Sequence, residues 1–391
     1  MTTNAAFPFH LMIKPAGAAC NLACEYCFYL EKSALYPQQQ TRMDGETLER
    51  VIAAYLGAHP GPVVTFGWQG GEPLLMGVDF FRKAAALQAK YLRPGQQVEN
   101  ALQTNGILID DAWAEFLAEQ HFLVGVSIDG PADLHDRYRR YRGGQSTHAK
   151  VVTGLRVLQR HGVEHNALCT VNRVNADHPL RVYRFLTGLG LEYLQFIPIV
   201  ERENPRSRKP TPFTVRPEQF ETFLVTIFDE WAKNDVGKVF IQWFESALNV
   251  WLGGPPTLCV FAPTCGRAMA LEHNGDLYAC DHFVTREHFR GNFTPENAKM
   301  LVDGHAQASF GAAKADLPTE CRRCPVVRFC GGDCPKHRLR LGENNKPLSY
   351  LCPALKGFFT HAAPVLQAMA GEIRAGRPAS NVMEVLRELK P

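Results

Sequence analysis

Cys20-Asn21-Leu22-Ala23-Cys24-Glu25-Tyr26-Cys27-Phe28-Tyr29-Leu30, with three thiols inside eight residues, decides the reading of this 391-residue chain. The spacing Cys-x3-Cys-x2-Cys falls on a loop after the apolar run at 9–13, and sets the thiolates close enough to hold three irons of one 4Fe-4S cube. The fourth iron of such a cube stays open, and an open, Lewis-acidic iron binds a substrate or cofactor directly. Spacing alone leaves a zinc site or chance clustering as alternatives.

Outward from this loop the chain alternates short β-like runs with amphipathic segments. Strands are expected at 9–13, 63–68, 98–102, 123–128, 165–171 and 193–198, and helices at 45–56, 78–91, 111–120, 149–161 and 180–186. Six such units imply a parallel, curved sheet. The strands run out into small, polar or turn-forming residues: the cysteine loop, GGEP at 70–73, QTNG at 103–106, SIDG at 127–130 and TVNR at 170–173. Chemistry in (β/α) barrels gathers at that rim.

After residue 200 the pattern changes. A polar, proline-rich segment at 201–212 reads as an exposed loop, with helical stretches at 217–233 and 241–252. From Cys259 to Cys352 periodicity is weak apart from a hairpin around Asn274-Gly275, so ligation rather than a large apolar core is expected to hold this part. A helix at 354–375 closes the pattern. Two domains are expected, 1–235 and 236–391.

Composition narrows the function. Lys plus Arg exceed Asp plus Glu by 42 to 39, a balance that offers no field for nucleic acid or a membrane surface, and Arg137–Arg142 reads as solvated surface. Neither a secretory leader nor a membrane span is visible, which points to the cytoplasm, where structural disulfides are disfavoured. The twelve cysteines therefore suggest metal or cluster ligation. Cys169 stands alone and reads as a buried strand residue, and the histidines show no HExxH pairing.

The first cysteine group, with Tyr26 before its last cysteine and Phe28 after it, resembles the signature of the radical S-adenosylmethionine superfamily, and the βα pattern resembles its partial barrel. The fold implied is α/β, a partial (β/α)6 TIM-like barrel. Gly70, Gly71 and Glu72 resemble the family's GGEP, whose glycines let backbone groups approach the methionine amine. Ser127 and Arg139 resemble the positions that bind the ribose and the methionine carboxylate, a pairing that suits guanidinium geometry. Tyr26 and the backbone near Val200 are further cofactor candidates. Downstream, Cys265-x9-Gly275-x4-Cys280, Cys321-x2-Cys324-x5-Cys330-x3-Cys334 and Cys352 resemble the SPASM domain, a loop-rich iron-sulfur domain. A pair of zinc ribbons is the alternative by spacing alone. With Cys259 the thiolates number eight, enough for two more clusters. By resemblance Cys259, Cys265, Cys280 and Cys334 hold one, and Cys321, Cys324, Cys330 and Cys352 the other, for three [4Fe-4S] clusters in all.

Within the superfamily the resemblance is to anaerobic sulfatase-maturating enzymes, carried by the segment 20–32, WQGGEP, QTNG, SIDG, QFIP, NGDLYACDHFV at 274–284 and the cysteine-rich tail. It implies oxidation of a Cys or Ser in a sulfatase Cys/Ser-x-Pro-x-Arg motif to Cα-formylglycine. A 5'-deoxyadenosyl radical from S-adenosyl-L-methionine would abstract a Cβ hydrogen, with an electron donor such as flavodoxin or ferredoxin. Asp281, directly after Cys280, matches the acidic position of that family and is the candidate general base. A carboxylate beside a negatively charged cluster is expected to be a better proton acceptor than one in water. His282 is a weaker alternative. Two rival functions are another SPASM peptide maturase, forming thioether or carbon-carbon crosslinks, and a non-enzymatic multi-cluster electron-transfer protein.

Overall fold

A computed structural model describes residues 4–37, 42–204 and 206–388. In chain order the first half comprises β1 (His10–Ile13), α1 (Gly45–Ala58), β2 (Val63–Trp68), α2 (Val78–Tyr91), β3 (Gln97–Thr104), α3 (Asp111–Glu119), β4 (Leu123–Ser127), α4 (Ala132–His135), α5 (His148–Arg160), β5 (His165–Val171), α6 (Pro179–Gly188) and β6 (Tyr193–Pro198). There follow α7 (Pro217–Asn234), β7 (Phe240–Ile241), α8 (Gln242–Trp251), β8 (Ala268–Leu271), β9 (Asp276–Tyr278), β10 (Phe289–Asn292), α9 (Ala298–Asp303) and α10 (His305–Ala313). Short α11 (Thr319–Arg322) and α12 (Val327–Cys330) precede the long α13 (Cys352–Arg374). The expected βα alternation is present, each of β1 to β6 leading into a helix.

Local chemistry sets the boundaries. The Asp44 carboxylate accepts from Thr47 N at 2.7 Å and starts α1, which then buries Leu48, Val51, Ile52 and Tyr55 along one face. In β2, Val64, Phe66 and Trp68 are buried on alternate positions, as period two requires. β3 continues past the expected 98–102 because Gln103 and Thr104 still pair with Gly125 and Val126 of β4. α13 starts two residues before the expected 354, with Pro353 in its first turn, where a missing N–H costs nothing.

Two compact units divide the chain. The first contains Met1–Ser127, Tyr138–His165 and Gly266–Ala312. Its strands lie in the order β10-β9-β8-β1-β2-β3-β4, with β8 and β1 to β4 parallel. β8 pairs with β1 from His10↔Ala268 to Ile13↔Leu271, and then turns back antiparallel into β9. That turn is the expected Asn274-Gly275 hairpin: Gly275 takes the left-handed φ of 87°, and Asn274 Oδ1 accepts from Asp276 N at 3.0 Å.

The second unit contains Ile128–Arg137, Asn166–Cys265 and Ala313–Pro391, with β5, β6 and β7 parallel. Between Cys259 and Cys352, where ligation rather than a large apolar core is expected, the chain also buries aromatic side chains that reach residues outside that span. Phe261, Phe329, Phe358 and Phe359 are all buried, and their rings meet at centroid separations of 5.3–5.6 Å. Phe358 also stacks on Phe244 of α8. These partners are far apart in sequence, so no local periodicity reveals them. Among the described residues no helix is long and apolar enough to cross a membrane.

Candidate active site

The cysteine loop leaves β1 and is pinned by backbone bonds: Ala23 N donates to Arg140 O at 2.9 Å, Glu25 N to Tyr138 O at 3.2 Å, and Cys27 N to Cys24 O at 3.0 Å. Leu22 N points at Cys20 Sγ from 3.4 Å. Burial pushes the Cys20 thiol up to about 11, opposed by the Leu22 N–H and the Arg139 guanidinium and reinforced by Glu72 and Cys27. A thiol placed like Cys20 ionises only against a strong local cation, which a cluster iron would supply, so this residue fits a cluster ligand.

The GGEP turn lies against this loop. Gly71 N donates to Gly17 O and Glu72 N to Ala19 O, each at 2.8 Å. A Cβ on Gly71 would sit 2.0 Å from Ala19 O, so only glycine permits the approach. Glu72 is fully buried. Its carboxylate accepts from Leu74 N at 3.0 Å, Thr104 Oγ1 at 2.8 Å and Asn105 N at 2.8 Å. Burial nevertheless pushes it up to about 7. Both oxygens face protein donors, so Glu72 ties the GGEP turn to the QTNG turn. Asn105, which the sequence reading did not single out, reaches Asn21 Oδ1 at 2.7 Å and so fastens the QTNG turn to the cysteine loop.

Arg139 and Tyr26 are brought together: the guanidinium carbon stands 5.6 Å from the Tyr26 ring centroid, and both side chains are buried. Thr147 Oγ1 donates to Arg139 O at 2.7 Å. Ser127, the last residue of β4, is 6% exposed. Val200 belongs to the second unit, where it is buried.

Asp281 opens a helical turn directly after Cys280. Its Oδ1 lies 2.5 Å from the ammonium of Lys14, itself 1% exposed at the end of β1. The contact is an ion pair without hydrogen-bond alignment, and among the described residues Oδ1 has no other donor. The stem of Lys14 passes beneath Gly70, and its ammonium lies 4.7 Å from the Tyr29 ring centroid. Tyr29 donates in turn to the buried Glu272. The sequence reading gave Asp281 a negative neighbour only, and the structure adds a positive one. His282 stands edge-on to Phe28 at 5.3 Å. Neither Lys14 nor Tyr29 was singled out: one polar residue closing an apolar strand, and one aromatic among several, carry no local signal.

In the second unit a cavity of about 190 Å³ is lined by Cys321, Cys324, Cys330 and Cys352. Burial pushes Cys321 up to about 11 and Cys330 up to about 12 and also raises Cys352, and neighbouring thiols add to the rise in each of these three. Gly331 and Gly332 take left-handed φ values of 52° and 75°, and a Cβ on Gly331 would meet Phe261 O at 2.2 Å. Asp333, at a left-handed φ of 60°, accepts from Ser349 Oγ at 2.7 Å and from Cys334 N at 2.6 Å. Burial likewise raises Cys265, and raises Cys334 to about 12. Among the described residues no three His, Cys, Asp or Glu side chains gather as a site for a single metal ion. The four thiols of the cavity stand around a volume, an arrangement that fits a cube with irons at its corners.

Residues 15–186 match the model of the Radical SAM superfamily. The chain is 42% identical to the serine-type anaerobic sulfatase-maturating enzyme of Bacteroides thetaiotaomicron, over 99% of this chain and 98% of that protein. It is 32% identical to the cysteine-type enzyme of Clostridium perfringens, over 94% of this chain and 100% of that one. A solved structure described as native anSMEcpe with bound AdoMet and Cp18Cys peptide superposes with a TM-score of 0.86 at 33% identity, covering 94% of this chain and 99% of that one.

Proposed function

The chain belongs to the anaerobic sulfatase-maturating enzymes of the radical SAM superfamily, and we propose that it oxidises a Ser or Cys side chain of a sulfatase polypeptide to Cα-formylglycine. What supports this reading is the continuity of the first unit. The cysteine loop, the GGEP turn, Arg139 and the Lys14–Asp281 pair are joined by direct contacts or by mutual electrostatic influence.

In this account Cys20, Cys24 and Cys27 would hold a cluster that would supply the electron for reductive cleavage of S-adenosylmethionine. Gly70, Gly71 and Ser127 receive its amine and ribose, Arg139 its carboxylate, and Tyr26 and Val200 complete its surroundings. When bound, that cosubstrate supplies the abstraction of one hydrogen atom from the target Cβ. The residues of the chain do the rest. Arg139 orients the cosubstrate by a charge-assisted contact. Asp281 takes the hydroxyl or thiol proton of the target, and Lys14 holds its carboxylate in place as it does so. One hydrogen atom, one proton and one electron thus leave CH2–XH and give C=X. For Ser this is the aldehyde, and for Cys a thioaldehyde that water converts to the aldehyde with release of hydrogen sulfide.

Cys259, Cys265, Cys280 and Cys334, and Cys321, Cys324, Cys330 and Cys352, would hold two auxiliary clusters, three clusters in all, which would supply an acceptor for that electron, with residues 1–235 and 236–391 as the functional domains. A flavodoxin or ferredoxin is the reductant, and the peptide motif is Cys/Ser-x-Pro-x-Arg. The test is anaerobic incubation of the reconstituted chain with a Cys-x-Pro-x-Arg peptide and its Ser twin, followed by mass spectrometry. A hydrazine-reactive aldehyde at the target is expected. A thioether or carbon-carbon crosslink in its place would overturn the reading.

A further inference from the structure

Lys314 follows α10 and is 1% exposed. Its ammonium donates to two backbone carbonyls, Cys259 O at 2.6 Å and Val260 O at 2.9 Å. Burying a lysine charge costs several kcal/mol unless opposite charge or dipoles compensate it, so its surroundings indicate what it serves. The anionic groups acting on it are, in order, Cys265, Cys334, Cys259 and then Asp333.

A second buried cation supports the first. Arg338, 6% exposed, donates to Lys314 O at 2.8 Å and to Gly332 O at 3.2 Å. Its charge acts on both Cys265 and Cys321. The backbone of Lys314 is therefore fixed by one buried cation while its side chain clamps the loop that begins at Cys259.

We infer that Lys314 is a potential-setting residue, the resident counter-charge of the auxiliary cluster that Cys259, Cys265 and Cys334 help to hold, and that it raises the reduction potential of that cluster. The inference rests on the reading of these three cysteines as ligands. The physical ground is electrostatic: adding an electron makes a thiolate-ligated cluster more negative, and a fixed cation in a low-dielectric surround stabilises the reduced form more than the oxidised one. A tuned auxiliary cluster suits a reaction that must pass an electron away from its substrate.

The test compares wild-type protein with Lys314→Gln and Lys314→Arg, each anaerobically reconstituted as the full chain, by iron and sulfide content and by an EPR-monitored redox titration. Gln keeps a donor for the loop carbonyls without charge, and Arg keeps the charge. The expected result is full iron in all three, with reduction of one auxiliary cluster at least tenfold less favourable in Lys314→Gln, or about 59 mV for one electron. Lys314→Arg should stay close to wild type. Loss of auxiliary iron from Lys314→Gln but not from Lys314→Arg would also support the counter-charge role. Full iron with unchanged potentials in Lys314→Gln would overturn it, as would equal loss of iron from both variants. Wild-type protein without auxiliary iron would overturn the ligand reading itself, and the inference with it.

Discussion

Replacing Gly71 by Ala would place a methyl carbon 2.0 Å from Ala19 O, 2.6 Å from Ala19 C and 2.9 Å from Ala18 C. All three are backbone atoms, so no side chain can swing aside. Ordinary contact begins near 3.4 Å, and relieving the clash with Ala19 O demands a retreat of about 1.4 Å. The next residue is Cys20, so the retreat is transmitted to the cluster loop. Overpacking of this kind costs about 1–3 kcal/mol of stability. A misplacement of roughly 1 Å at a reacting centre costs on the order of 100-fold in rate. Gly71→Ala should therefore keep its thiols and its iron, yet cleave S-adenosylmethionine about 100-fold more slowly. The assay is 5'-deoxyadenosine formation under dithionite, with thermal unfolding and iron content measured on the same preparation. Gly57→Ala is the control, because among the described residues nothing lies within 4 Å of a Cβ there. Wild-type cleavage by Gly71→Ala would refute the argument that this turn is held against the cluster loop by a contact only glycine allows.

Changing Cys20, Cys24 and Cys27 together to Ala should lower the reconstituted iron from twelve to eight atoms per chain and abolish S-adenosylmethionine cleavage, with the circular dichroism of the folded chain retained. Arg139→Ala should weaken cosubstrate binding at unchanged iron, measured by equilibrium dialysis, since its guanidinium is buried beside Tyr26 and acts on Cys20. Asp281→Asn should retain all clusters and still cleave S-adenosylmethionine while forming far less formylglycine, as mass spectrometry of the peptide reports. Unpairing Lys14 in that variant should also lower stability by about 3–5 kcal/mol in denaturant titration, because it leaves a buried charge uncompensated.

Local signals carried much of the fold. The apolar runs at 63–68, 165–171 and 193–198 became β2, β5 and β6 with the same bounds, because strands with a buried face read directly as alternating or continuous apolar residues. The cysteines and GGEP were visible because their chemistry depends on spacing within one loop. What escaped depends on pairing across long separations. β8 is four residues long and finds β1 more than 250 residues earlier, so its hydrophobicity alone could not place it. Lys14 meets Asp281 across a similar interval, and Lys314 meets Cys259 across 55 residues. Glu72 was read through the cosubstrate, and the sequence did not show that its carboxylate also accepts from Leu74, Thr104 and Asn105. A buried acid satisfied by two backbone N–H groups and a hydroxyl some thirty residues away leaves no pattern in a sequence.

On the proposed chemistry the chain removes a hydrogen atom from the Cβ of a sulfatase serine or cysteine and leaves an aldehyde there. A Ser-x-Pro-x-Arg peptide and its Cys twin, each carrying two deuteriums at the target Cβ, test it most directly. One deuterium should appear in 5'-deoxyadenosine and the other should remain on the aldehyde carbon, with one 5'-deoxyadenosine formed per aldehyde. Cleavage of S-adenosylmethionine with both deuteriums still on the peptide, or with a crosslinked peptide and no aldehyde, would contradict the account.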